Sequence, residues 1–269
     1  MNNNFLFDKY LELLAVKASR PSFDLLCEIV KAHLIKVPFE NISKLLYKKQ
    51  GMNNIPDLST FLNGIENYNF GGTCYSNNYY FYLLLKHIGF DVKLCGADMR
   101  NPDVHIISMV NIDGKEYIVD GGYAAPFLKP LPRNLKDDYK ISIGEESYVI
   151  KPKDSNGKTK VEQYYDGELQ HWYTAKPQPR IIDDFRKVIE ESYANDATFM
   201  NAIRITRFSE NGSTTLTNLQ LTETANSKTS AKNYSAAELP ELVEKKFGIP
   251  VEIVKDAIGG IKQLKSIYD

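Results

Sequence analysis

The sequence predicts an α+β fold, with helices first, an antiparallel sheet or small barrel in the middle and a mixed segment at the end. Three observations predict it. Apolar residues recur at helical intervals from Phe5 to about Gly89, as in Leu11, Leu14 and Ala15 and again in Tyr80, Leu83, Leu84 and Ile88. Short stretches of strand-like composition follow at Val92 to Gly96, Val104 to Val110, Glu116 to Val119 and Tyr148 to Lys151. Beyond Pro177 to Pro179 the two patterns alternate.

Taken in order, Gly89 stops the last helix of the first region. Asp113-Gly114 is a two-residue hairpin signal between strand-like runs. Pro126, Pro130 and Pro132 keep the next stretch irregular, and Lys153 to Lys158 reads as an exposed turn. Ile182 to Ser192 is predicted helical, and Ile203 to Phe208 and Thr214 to Leu221 are predicted strands. Ser235 and Glu238 have capping-box spacing ahead of a helix from Leu239 to Phe247, which Gly248 ends. The expected divisions are a helical domain over 1–89, a β domain over 90–180 and an α/β domain over 181–269.

Composition sets the outer limits. The chain has 269 residues, 43% hydrophobic and 25% charged, which is ordinary globular usage. Lys and Arg number 33 against 34 Asp and Glu, a net charge of -1, so no global positive field draws the chain to nucleic acid or an anionic membrane. Lys36, Lys44, Lys48 and Lys49 read as a solvated surface. The start at Met1-Asn2-Asn3-Asn4-Phe5 has no secretory pattern, because Asp8, Lys9 and Glu12 interrupt any apolar stretch, and no run reaches spanning length. A soluble cytoplasmic protein is expected. Three cysteines, an odd number, suggest reduced thiols, with Cys27 and Cys95 read as core residues.

The third, Cys74, follows Gly71-Gly72-Thr73 and opens a helix-like run from about Asn77. A helix N-terminus favours a thiolate, and an imidazolium partner favours it further, since a free thiol ionises only near pH 8.5. His105 and Asp120 lie on the strands that Asp113-Gly114 joins. If that loop has two residues, Asp120 faces Ile107 and His105 lies two positions along on the same face, within side-chain reach. A Cys-His-Asp arrangement for acyl transfer follows, the carboxylate fixing the tautomer of the base. The competing reading makes Gly71 and Gly72 a simple turn, Cys74 a buried thiol and His105 a core histidine. The four histidines, His33, His87, His105 and His171, show no metal-ligand spacing, so no metal is expected. His87 suits a helix C-terminus, and His171 reads as structural or surface.

At these residues the sequence resembles the arylamine N-acetyltransferase family. Pro38-Phe39-Glu40-Asn41 is similar to its N-terminal signature, and Gly71-Gly72-Thr73-Cys74 with Asn77 or Asn78 to its Arg-Gly-Gly-x-Cys nucleophile motif. His105-Ile106-Ile107 resembles its histidine strand, and Asp120-Gly121-Gly122-Tyr123 its Asp-Val-Gly-Phe signature. The resemblance implies a helical N-terminal domain, a central antiparallel β barrel and a C-terminal α/β lid around a cysteine-protease-like Cys-His-Asp core.

It also implies a ping-pong reaction, in which Cys74 takes an acetyl group from acetyl-CoA, the donor co-substrate, and passes it to an arylamine, arylhydrazine or N-hydroxyarylamine. Phe39 and Tyr123 then line the acceptor pocket. The backbone N–H groups of Cys74 and Tyr75 are the candidate oxyanion donors. Phe70 stands in place of the usual Arg, Ser76 in place of Glu and Tyr123 in place of Phe, and the Cys95 to Pro102 loop is short. The alternative reading is an amide-forming acyltransferase that uses the same triad with another thioester donor; a third is a ligand-binding protein without useful turnover.

Overall fold

The computed structural model describes residues 4–267. Met1 to Asn3, part of the start read for a leader, lie outside them. The chain opens with α1 (Asn4–Leu14), α2 (Phe23–Lys36), the short strand β1 (Phe39–Glu40), α3 (Ile42–Lys49), α4 (Leu58–Tyr68) and α5 (Cys74–Ile88). Ser22 Oγ accepts from Leu25 N and Asp57 Oδ1 from Thr60 N, so polar side chains cap α2 and α4. Gly89, at φ 101°, ends α5 in the left-handed conformation. Apolar faces at helical spacing bury Tyr10, Leu26, Ile29, Phe61 and Leu84 in one core.

Eight strands follow: β2 (Asp91–Asp98), β3 (His105–Ile112), β4 (Lys115–Val119), β5 (Leu131–Pro132), β6 (Tyr139–Ile143), β7 (Glu146–Ile150), β8 (Thr159–Tyr165) and β9 (Glu168–Pro179). They form one antiparallel sheet in the order β5-β4-β3-β2-β9-β8-β7-β6, curled into a nearly closed barrel. The hairpin loop has the two expected residues, since Ile112 pairs with Lys115 while Asp113 and Gly114 take φ of 50° and 76°. Pro177 to Pro179, read as a boundary, form the end of the twelve-residue β9. Pro179 pairs with Cys95 beside a register shift, where a missing N–H is tolerated.

The last part holds a 3₁₀ turn (Ile182–Phe185), α6 (Arg186–Glu191), α7 (Thr198–Asn201), β10 (Arg204–Ser209), β11 (Gly212–Thr217), β12 (Gln220–Ala225), β13 (Lys228–Asn233), α8 (Leu239–Phe247) and α9 (Val251–Ile258). Its antiparallel sheet has the order β1-β10-β11-β12-β13, so a strand from the helical region joins it at one edge. The single strand expected over Thr214 to Leu221 is two, turning at Asn218, which adopts φ 53°. The Thr/Leu alternation runs through that turn and hides it. Ser235 N and Oγ both donate to Glu238 Oε2, but α8 begins only at Leu239, so this box closes the turn before the helix.

Two further expectations are corrected by packing. Cys95 is buried, but Cys27 is only half-buried, because it lies at the margin of the face that α2 presents to the core. Lys44 is buried rather than solvated, because Ser192 and Tyr193, just after α6, cover its ammonium. Among the described residues no helix is long and apolar enough to cross a membrane.

Candidate active site

Cys74 is the first residue of α5, three positions earlier than the expected helix start. The turn before it is set by close backbone approach: a Cβ on Gly71 would lie 1.9 Å from Pro38 O, and Glu40 N donates to Gly72 O at 3.0 Å. The fully buried Glu40 carboxyl accepts from Ser43 N at 2.9 Å, Ser43 Oγ at 2.5 Å and Gly71 N at 3.2 Å, and burial raises its pKa. Asn77 Nδ2 adds a bond to Pro38 O. The Pro38 to Asn41 segment thus fixes the loop that presents the thiol.

His105 begins β3, and Asp120 lies one step beyond the last ladder pair, Ser108 with Val119. Both are buried, and His105 Nε2 meets Asp120 Oδ2 at 2.8 Å. The other ring nitrogen, Nδ1, has no partner of normal hydrogen-bond geometry and is the one left for the Cys74 sulfur. Burial opposes charge on His105, but the Asp120 charge and hydrogen bond, with smaller contributions from Cys74, outweigh it and raise the imidazole pKa to about 10. Asp120 is pushed up by burial and pulled down more strongly by His105, Asn78 and Gly122 N, so its pKa ends below the usual range.

Asn78, one helical turn after Cys74, is a clamp whose role the sequence reading missed. Its Nδ2 donates to Asp120 Oδ1 at 2.9 Å and to Ile106 O at 2.6 Å, and its Oδ1 accepts from Gly121 N at 2.8 Å. The i, i+4 spacing from Cys74 was the available signal. Gly122 is required by approach: a Cβ there would sit 2.7 Å from Cys74 Cα and 2.8 Å from Asn78 Nδ2.

Cys74 is partly exposed and lines two adjoining cavities, of about 560 Å³ and about 210 Å³. The larger is walled by Lys44, Tyr75, Arg100, Trp172 and Ser192. The smaller is more aromatic, holding His105, Phe39, Phe199 and Tyr123. The structure therefore brings Phe39 and Tyr123 to the same space as Cys74 and His105. His171, read as structural or surface, lines both cavities; its Nδ1 lies 2.7 Å from the Tyr123 hydroxyl, and burial, with the charges of His105 and Arg100, lowers its pKa to about 4. Only the β8–β9 hairpin, with its register shift, brings it there. Ile267, beyond the last helix, also borders both cavities. Of the Cys95 to Pro102 stretch read as a loop, Cys95 to Asp98 belong to β2, and Met99 to Val104 form the shared wall of the cavities, pinned where Asp103 pairs with Lys176 at 2.6 Å and Arg180 at 3.1 Å. Among the described residues no three His, Cys, Asp or Glu side chains group as a metal site.

A family model described as N-acetyltransferase matches residues 22–257. The chain belongs to the arylamine N-acetyltransferase family. It is accordingly an acetyltransferase. It is 26% identical over 211 residues to arylamine N-acetyltransferase 1 of Homo sapiens, covering 67% of this chain and 70% of the human protein. It is 24% identical over 188 residues to proansamycin X synthase of Amycolatopsis mediterranei, covering 64% and 70%. The arylamine N-acetyltransferase of Nocardia farcinica has the same fold, with a TM-score of 0.79 over 94% of each chain at 22% identity.

Proposed function

We propose that this protein carries acetyl from acetyl-CoA to an arylamine, arylhydrazine or N-hydroxyarylamine through a Cys74 thioester, by a ping-pong mechanism. One observation carries the reading: the thiol stands where two cavities meet, beside a buried imidazole held protonated by a carboxylate. With the thiol proton resting on His105, the Cys74 thiolate attacks the thioester carbonyl. The tetrahedral oxyanion is met by the N–H groups of Cys74 and Tyr75, which lie in the first turn of α5 where no helical carbonyl reaches them. CoA leaves with the proton from His105.

In the second half-reaction the amine attacks the acetyl-enzyme, His105 takes its proton and Cys74 departs as thiolate. The larger cavity suits the donor. The smaller suits a planar amine, stacked among Phe39, Phe199 and Tyr123. The short Cys95 to Pro102 stretch supports, as the second reading, an amide-forming acyltransferase that uses another thioester donor on the same triad.

The test is intact-protein mass after mixing with acetyl-CoA, followed by an arylamine chase. Gain of one acetyl group by the unmutated protein but not by Cys74→Ala, lost in the chase, is the expected result. A folded protein that stays unacetylated overturns the donor assignment.

A further inference from the structure

Lys44 has no part in the chemistry described so far, yet it lines the larger cavity, as Cys74 does, and is only 4% exposed. Its ammonium donates to Ser192 Oγ at 2.7 Å and lies 4.2 Å from the centroid of the Tyr193 ring, both neutral groups. A buried ammonium with neutral partners alone is costly, so its retention calls for an anion. Two carboxylates are near in the fold, and neither serves. Glu40 is turned to Ser43 and Gly71, and the Glu191 side chain is 60% exposed at the rim. The other side chain lining that cavity that could supply the charge is the Cys74 thiol; burial lowers the Lys44 pKa to about 8, and a charge on Cys74 opposes that fall.

We propose that Lys44 is a positioning residue that holds the Cys74 thiolate from the larger-cavity side while His105 holds it from the barrel side. The inference rests on reading Cys74 as the nucleophile. The resting thiolate then lies between two cations, with the thiol proton held on His105. The other titratable groups around this space are Asp120, committed to His105, Arg100 and His171 at the rim, and Glu40 and Glu191 as above. Tyr75 and Tyr193 are pushed upward by burial and stay neutral.

Alkylation by iodoacetamide, in which the thiolate displaces iodide, reads the thiolate without any acyl donor. Loss of acetyl transfer and failure of this inference are therefore separable. Lys44→Gln keeps a donor for Ser192 Oγ but removes the charge. Its half-maximal alkylation should move to higher pH by about one unit, a tenfold fall in thiolate below the midpoint, and Lys44→Arg should restore it. An unshifted profile in folded Lys44→Gln overturns the inference. The reciprocal measurement leaves Lys44 in place: in Cys74→Ala the NMR titration midpoint of the Lys44 side chain should fall, and an unchanged midpoint also overturns it.

Discussion

Two buried histidines flank the Gly121-Gly122 turn and behave in opposite ways. His33 is fully buried, stacked on Phe81 at 4.1 Å and bonded through Nδ1 to the Tyr10 hydroxyl; burial alone lowers its pKa to about 3. His105 is as deeply buried, yet its pKa rises to about 10. The difference is one carboxylate. Asp120 reverses the effect of burial at His105, whereas among the described residues no charge shifts His33. Burial therefore makes an inert core residue of one imidazole and a charged partner for a thiol of the other.

The sharpest break of this contrast is Asp120→Asn, which keeps the shape but removes the charge. Turnover should fall by about 10³- to 10⁴-fold, as a wrongly held base does elsewhere, measured as kcat/KM for acetyl transfer. Stability should report the same change. With its folded pKa raised, His105 contributes stability that is fully present below pH 6.5 and is lost as the pH rises through about 10. Denaturant unfolding between those values should lose that slope in the variant; a retained slope would assign it to another group.

The two glycines give the next test. Gly122→Ala puts a methyl group against Cys74 Cα, so activity should drop by about 10²-fold with a misplaced nucleophile. Gly121→Ala instead meets the His33 ring at 2.7 Å and should cost about 1–3 kcal/mol of stability, measured by thermal or urea unfolding. His33→Ala should relieve that cost in the double variant, and strict additivity of the two changes would deny the contact.

The smallest effect is at His33 itself. Because its folded pKa lies below the unfolded value, the unfolded chain binds more protons between pH 6.5 and 3, so stability falls as pH falls through that window. In His33→Gln this part of the acid limb should flatten, by at most about 1.4 kcal/mol per pH unit, with acetyl transfer near neutrality little changed. An unaltered acid limb would mean that His33 is not held neutral.

Much of the site was legible because it is carried by local signals. Gly71-Gly72, Cys74 and the Asp113-Gly114 turn are short-range features, and a strand period of two places His105 and Asp120 on one face once the loop length is known. Asn78 was visible as a motif residue but not as a clamp, because its three bonds reach β3 and the turn after β4. Phe39 showed only as an apolar residue in a signature; its place in the cavity comes from β1 pairing with β10, 167 positions along at Thr206.

By itself, then, the sequence determined the succession of a helical, a strand-rich and a mixed region, a thiol close to a helix start and the histidine–aspartate hairpin, because periodicity, turn chemistry and capping act between near neighbours. Tertiary structure alone decided that Lys44 is buried in the wall of the cavity that Cys74 lines, that His171 reaches Tyr123 and that His33 and His105 differ in charge. Burial and electrostatic partners depend on elements distant in the chain, and an ionisable group takes its character from whatever those elements bring within a few ångströms of it.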